Sequence, residues 1–242
     1  MSKKQANTSL LPWLTAVLMV TGIAVLAAMY WNRNVTVQDL KVNELTFVEY
    51  EEVKESAAVP TGIKPDSLNL EEVALRVEKL DYVQKVTSYI EPDGSLRLNI
   101  TEREPLALLI DGSNRIYVDA QGVKLPILEG KTRNLPLLYG YSSNQDDTLQ
   151  DESFLQVSDF LVQARNDRFG WTTISEVAFD ENDGVVALSH ENGVKLLFGR
   201  NNFKTKLQNW KAFYAQVVKT KGIDSMQQVD LRFTNQVVTR EI

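Results

Sequence analysis

The chain has 242 residues, with 26 lysines and arginines against 32 aspartates and glutamates, a formal net charge of −6, and no cysteine. Disulfides, thiolate metal sites and cysteine nucleophiles are thereby excluded, and the acidic balance argues against a surface built to neutralise nucleic-acid phosphates. An apolar fraction of 43% beside 24% charged residues is that of a folded protein, with room for one anchor and two small domains.

Residues 10–31 read LLPWLTAVLMVTGIAVLAAMYW, without a charge. At about 1.5 Å rise per residue, such a run crosses a hydrocarbon core of roughly 30 Å. Trp13 near one end and Tyr30 with Trp31 at the other match interfacial anchoring positions. A cleaved signal peptide is the alternative, with Ala27-Ala28 as the mimic of its cleavage site, but the apolar run is longer than such a peptide needs. Lys3 and Lys4 precede the run, whereas Arg33 is soon followed by Asp39 and Glu44, a bias that keeps the N-terminus cytoplasmic and everything after Arg33 outside. The expected division is a cytoplasmic tail over 1–9, a transmembrane helix over 10–31, a first domain over 35–105 and a second over 106–242.

Val35, Val37, Val42 and Leu45 suggest a strand interrupted near Asp39. Phe47, Tyr50, Val53 and Ala57 stand at helical spacing in a stretch rich in Glu and Lys, which Pro60 ends; Gly62, Pro65, Asp66 and Ser67 make a connector. Asn69 then caps a helix, with Glu72 three residues on, Leu70, Val73, Val77 and Leu80 on the core face and Glu78 toward solvent. Alternation through Val86, Ser88 and Ile90, a turn at Pro92-Asp93-Gly94 and a return through Leu96, Leu98 and Ile100 make a hairpin. Strand, helix, helix, hairpin is the order of a POTRA domain, in which two helices cover one face of a three-stranded sheet.

Beyond Pro105 the pattern gives strands over 106–110, 116–118 and 123–127, a polar loop over 140–151, and a helix over 154–164 with Phe154, Val157 and Leu161 on one side. Strands over 174–179, 185–189 and 194–198 follow, around the turn dipeptides Asp183-Gly184 and Asn192-Gly193. Phe203, Leu207, Trp210, Tyr214 and Val217 place a long amphipathic helix on that sheet, before strands over 228–233 and 237–240. The expected fold class is α+β: a single N-terminal transmembrane helix, a POTRA domain, then a mostly antiparallel β domain with a long C-terminal helix.

Thr101-Glu102-Arg103-Glu104-Pro105-Leu106-Ala107 resembles the E-R-x-P-x-A junction of the bacterial cell-division family FtsQ/DivIB. Asp119-Ala120-Gln121-Gly122 resembles its D-x-x-G turn, Leu135-Pro136 its L-P element, and Val229-Asp230-Leu231-Arg232-Phe233 its V-D-L-R-aromatic strand, in the same order and spacing. The resemblance covers nearly the whole chain. It implies a divisome scaffold of the cell inner membrane that recruits FtsB and FtsL homologues at the septum and catalyses nothing, without cofactor, metal or small-molecule substrate. A POTRA-bearing secretion or envelope-assembly protein is the alternative, which should add a membrane barrel or further repeats. An anchored hydrolase would need paired catalytic groups in a pocket.

His190, the sole histidine, follows Ser189, but adjacent strand residues face opposite sides, so no nucleophile–base pair is expected, and one histidine does not make a zinc site. Asp180, Glu181 and Asp183 read as turn residues rather than glycosidase carboxylates or a calcium loop. Glu102, Arg103 and Pro105 read as residues that shape the domain junction, with Pro105 holding Glu104 extended; a partner contact is the other reading. From composition alone, the β-branched Val237, Val238 and Thr239 complete a sheet rather than offer an open edge. The resemblance reverses that order, because family members recruit their partners through the C-terminal region. Arg232, Phe233, Val237, Val238, Thr239 and Arg240 are accordingly the expected partner-binding residues, with the last strand accepting an added strand.

Overall fold

The structure, a computed structural model, describes residues 11–34, 36–234 and 236–241, and within the first helix the side chains of 12–26. Leu11–Asn34 form one helix of 24 residues, α1. Thr15 and Thr21 turn their hydroxyls back onto carbonyls of the preceding turn, Pro12 O and Val17 O, each at 3.0 Å, so these polar groups are satisfied without water. Among the described residues no helix is long and apolar enough to cross a membrane. The ends of the expected 10–31 span, residues 10, 11 and 27–31, lie outside the described side chains, as the tail 1–9 lies outside the described residues.

The chain divides between Thr101 and Glu102 into two compact units. In the first, Leu40–Val42 form β1, parallel to β3 (Leu96–Glu102), and β2 (Val83–Ile90) flanks β3 on its other side. β1 is shorter than the valine pattern suggests because Asn43 ends it: its amide Oδ1 accepts from Ile100 N at 2.7 Å and its Nδ2 donates to Ile100 O at 3.0 Å, so a side chain replaces the ladder. Val35 lies outside the described residues, and Val37 instead bridges Ile63.

Two helices follow β1 in sequence. Tyr50–Ala57 form α2, whose first turn is closed by Glu49 N donating to the Glu52 carboxylate at 3.0 Å and whose end is the left-handed Ala58. Phe47 precedes the helix and stacks on Tyr82 at 4.6 Å between ring centres. Leu70–Val77 form α3, capped by Asn69, which accepts from Glu72 N at 3.2 Å. Val73 and Val77 are fully buried, and Leu70 and Leu80 are half-buried. Glu78 does not simply face solvent: its carboxylate accepts from Val86 N at 2.8 Å, tying the end of α3 to β2. Between β2 and β3 the chain turns at the expected Pro92-Asp93-Gly94, with Gly94 N donating to Glu91 O at 2.9 Å.

The second unit is built on a nine-stranded sheet. A meander of β4 (Pro105–Asp111), β5 (Asn114–Asp119) and β6 (Lys124–Leu125) is followed by β7 (Leu137–Tyr139), which returns to lie parallel beside β4. α4 (Glu152–Asn166) and α5 (Arg168–Thr173) then cross to β8 (Ile174–Asp180), parallel to β7. β9 (Gly184–Ser189) and β10 (Lys195–Gly199) continue antiparallel, α6 (Phe203–Phe213) crosses to β11 (Met226–Asp230), parallel to β10, and β12 (Val238–Glu241) closes antiparallel on β11. The order is β12-β11-β10-β9-β8-β7-β4-β5-β6.

The sheet is mixed, with antiparallel pairs in the majority as expected: five of its eight neighbouring pairs are antiparallel and three parallel. Parallel neighbours require a crossover: α4 and α5 supply it between β7 and β8 and α6 between β10 and β11, whereas β5, β6 and the segment after them connect β4 to β7, and the helices bury the sheet's apolar rows. Phe160 of α4 packs on Phe198 of β10 and Phe203 of α6 with ring centres 4.5 and 5.5 Å apart, and the buried Trp210 donates Nε1–H to Thr173 Oγ1 at 3.0 Å. Past α6 the helix continues through a π turn, Tyr214–Val218. One extra residue in that turn shifts the apolar stripe by one position, so Val218 is buried while the expected Val217 is half-buried.

Candidate partner-binding edge

β11 ends where Asp230 reverses the chain. Its Oδ1 accepts from Arg232 N at 3.0 Å, an Asx turn that carries the backbone out of the sheet, while Leu231 stays buried and donates N–H to Leu197 O at 2.9 Å. Residues 233 and 234 are exposed, Val237 returns to pack against the core, and β12 then pairs with β11 in the register Asp230↔Val238, Val229↔Thr239, Gln228↔Arg240. β12 is the last strand of the sheet, so one of its two edges has no ladder partner among the described residues.

On β12 Val238 is 43% exposed and Arg240 is exposed, while Phe233, 45% exposed, lies in the return that precedes the strand. Val238 and Arg240 share one face of β12 and Thr239 takes the other. Exposed side chains and an open backbone row thus coincide at Val238 and Arg240. Val237 is instead partly sequestered in the core.

Arg232 is not free. Its guanidinium donates to both Asp230 oxygens, Nε to Oδ1 at 2.9 Å and Nη2 to Oδ2 at 2.6 Å, and through Nη1 to Asp183 Oδ1 at 2.7 Å. Burial opposes ionisation of Asp230, but the side-chain and backbone donors of Arg232 outweigh it and hold the carboxyl below its ordinary range. Lys206, buried beneath, donates to Phe198 O at 2.7 Å; burial, with the Arg232 charge added, lowers its pKa. Neither Asp183 nor Lys206 is recognisable as part of this edge from sequence, because both come from other elements.

The residues at the junction act locally. Arg103 Nη1 donates to Asp119 Oδ2 at 2.9 Å, and the buried Asp119 also accepts from Gln121 N and Val123 N, each at 2.9 Å, which builds the turn between β5 and β6. Pro105 is buried at the start of β4 opposite Asp119, and Glu102 is the last residue of β3. The other candidates are engaged in turns. Ser189 Oγ donates to Glu191 O and accepts from Val194 N, while His190 is exposed. Asp180 Oδ1 accepts from Asp183 N at 2.9 Å and Asn182 N at 2.8 Å, and these donors keep its carboxyl acidic. Glu181 is exposed, and its carbonyl accepts from Arg200.

These features define a class: a two-unit α+β protein whose second sheet ends in an open C-terminal strand. The chain belongs to the FtsQ/DivIB family of cell-division proteins; the family model for the FtsQ/DivIB C-terminal related region matches residues 104–240. It is 30% identical over 237 residues to the cell division protein FtsQ of Rhodothermus marinus, covering 93% of this chain and 86% of that one. With the FtsQ of Salinibacter ruber it shares 26% identity over 236 residues, 92% of this chain and 90% of the relative. Among solved structures, the major extracytoplasmic domain of DivIB from Geobacillus stearothermophilus aligns at 17% identity with a TM-score of 0.34, over 49% of this chain and 97% of that domain.

Proposed function

We propose that the chain is a non-catalytic scaffold of bacterial cell division, anchored in the inner membrane by the 10–31 segment, with a POTRA domain and a sheet domain outside, and that it recruits FtsB and FtsL homologues through β12. The observation that carries this reading is the position of β12 at the end of the sheet, with exposed Phe233 and Val238 beside an unpaired row of backbone groups. Such a row accepts an added strand through main-chain hydrogen bonds, and an aromatic ring next to it serves as an anchor. Family membership supplies the process, since the relatives are named as cell division proteins. The anchor is supported by the uncharged run and the 24-residue helix it contributes to.

The test uses the full chain in detergent and the FtsB–FtsL homologue pair from the same genome. Neighbouring residues of an antiparallel strand point their N–H groups to opposite edges, so proline at Val238 and at Thr239 in turn removes one inward and one outward donor. One of the two variants should lose the pair while its melting temperature stays near that of the parent. Phe233→Ala should weaken binding by about 2 kcal/mol, as an aromatic anchor does. Tight binding by both proline variants and by Phe233→Ala, with all three folded, rules this edge out.

A further inference from the structure

We propose that the cleft between α4, α5 and α6 is a second docking site of this chain, shaped for an acidic helical segment of another polypeptide. It is made by elements other than β12, and it stands whether or not that edge accepts a strand.

The charge of the chain is unevenly placed. Residues 195–222 hold seven lysines and arginines and no carboxylate, although the whole chain has a net charge of −6. Lys206 of this stretch turns inward onto Phe198 O at 2.7 Å, while Lys204 and Lys211 stay exposed on α6. With the exposed Arg168, the first residue of α5, they line an open cleft of about 720 Å³. Asp167 is the single carboxylate among the lining residues. It is committed to the start of α5, where it accepts from Phe169 N at 3.0 Å, and it approaches Lys211 only to 3.9 Å. Arg168 and Lys204 have no ion-pair partner among the described residues. Three cations around one carboxylate that is already bonded leave the cleft positive, and its walls focus that field.

Between the cations, Leu207, Ala212 and Ala215 supply apolar lining, and the two alanines are small enough for another chain to come close. A basic surface can also meet lipid phosphates, but a helix that lies on a membrane inserts large apolar side chains as well. Among the described residues, α5 and α6 expose none. An apolar strip flanked by charge suits instead an amphipathic helix laid into the groove between helices. The spacing agrees. Lys204 and Lys211 stand two turns apart on one face of α6, about 10.5 Å. Carboxylates two turns apart on a docked helix match that distance, whereas residues on one face of a strand fall about 6.6 or 13 Å apart.

The test titrates the full chain in detergent with a synthetic alanine-rich peptide of about 18 residues, long enough to hold a helix, with glutamates two turns apart and a leucine between them. A control peptide has the same composition with its glutamates on opposite faces. The parent should bind the first about tenfold or more tightly than the second. Arg168→Glu, Lys204→Glu and Lys211→Glu should each weaken binding about fivefold or more, and added salt should weaken it in the parent. Lys219→Glu, in the same basic stretch but outside the cleft, should leave affinity unchanged. Ala212→Trp fills the cleft and should abolish binding at an unchanged melting temperature. Equal affinity for the two peptides, or equal loss in Lys219→Glu and Lys204→Glu, overturns the proposal and leaves a solvated basic face. Parent affinity in Ala212→Trp overturns it as well. Absence of peptide binding overturns helical docking, and anionic phospholipid that then protects the α6 amides from hydrogen exchange makes the face a lipid contact instead. Each of these outcomes leaves the reading of β12 where it was.

Discussion

Gly122 sits at φ +84° in the turn between β5 and β6, where its N–H donates to Asp119 O and its carbonyl accepts from Leu149 N. A Cβ there would lie 2.0 Å from Leu149 O, a backbone atom that cannot step aside. Gly122→Ala should therefore cost about 2 to 3 kcal/mol, read as a lower urea midpoint. Gly112→Ala, at φ +61° with nothing within 4 Å, should cost only about 1 kcal/mol of backbone strain. Val77 makes the same point for burial: Val77→Asp should unfold the first unit, because a carboxylate at this fully buried position is removed from water. Glu71, exposed in the first turn of α3, is the neutral control. Glu78→Ala should be measurably destabilising, since it leaves Val86 N without its acceptor. Asp230 gives a pH dependence of known sign. Its native carboxyl is held below the ordinary value of 3.8, so the stability it contributes is full above that value and is lost as pH falls through it toward the lower native one. Melting profiles should show this acid-side loss in the parent and a flatter slope in Asp230→Asn.

At the scale of elements, the parts legible in the sequence are those with a periodic face or a dedicated turn residue. The Asn69 cap, the Pro92-Asp93-Gly94 turn and the alternating strands around Gly184 are of this kind. β7 was not legible: Leu137–Tyr139 is three residues long, too short for alternation to register, yet it lies between β4 and β8 and joins the two halves of the sheet. α5 is six residues with Gly170 inside it, and that glycine is used for close approach, as a Cβ would be 3.0 Å from Leu207 Cδ2. The last strand was legible as a strand, but the hold on Arg232 was not, because its partner Asp183 is far away in the chain. The π turn was likewise invisible, since Tyr214 and Val217 continue an α-helical stripe on paper. Its effect is testable. Deleting the exposed Ala215 removes the extra residue and leaves both flanks in place, so the variant should lose less than about 1 kcal/mol. Deleting Gln156 inside α4 should instead turn every later residue of that helix by about 100° and destroy the packing of Phe160 and Leu161.

For the whole molecule, the proposed anchor turns on the side of the membrane on which the two units would fold. Lysines at 3 and 4 precede the uncharged run, while the stretch after it soon becomes acidic, and in an anchored chain such asymmetry would retain the positive end in the cytoplasm. The units beyond have no cysteine, so a fold formed outside would be held without disulfides. The second unit is equipped for that by a continuous core running from Leu106 to Leu231. Fusing alkaline phosphatase after position 242, in a bacterial host, should give an active enzyme, because that reporter needs the oxidising extracytoplasmic side. A cytoplasmic reporter such as β-galactosidase fused at the same point should be inactive. Replacing Lys3 and Lys4 with glutamate should shift the balance toward the second reporter, since it weakens the charge asymmetry that sets orientation. Activity of the cytoplasmic fusion in the parent chain would put β12 on the wrong side for extracytoplasmic partners, and the scaffold reading would fail with it.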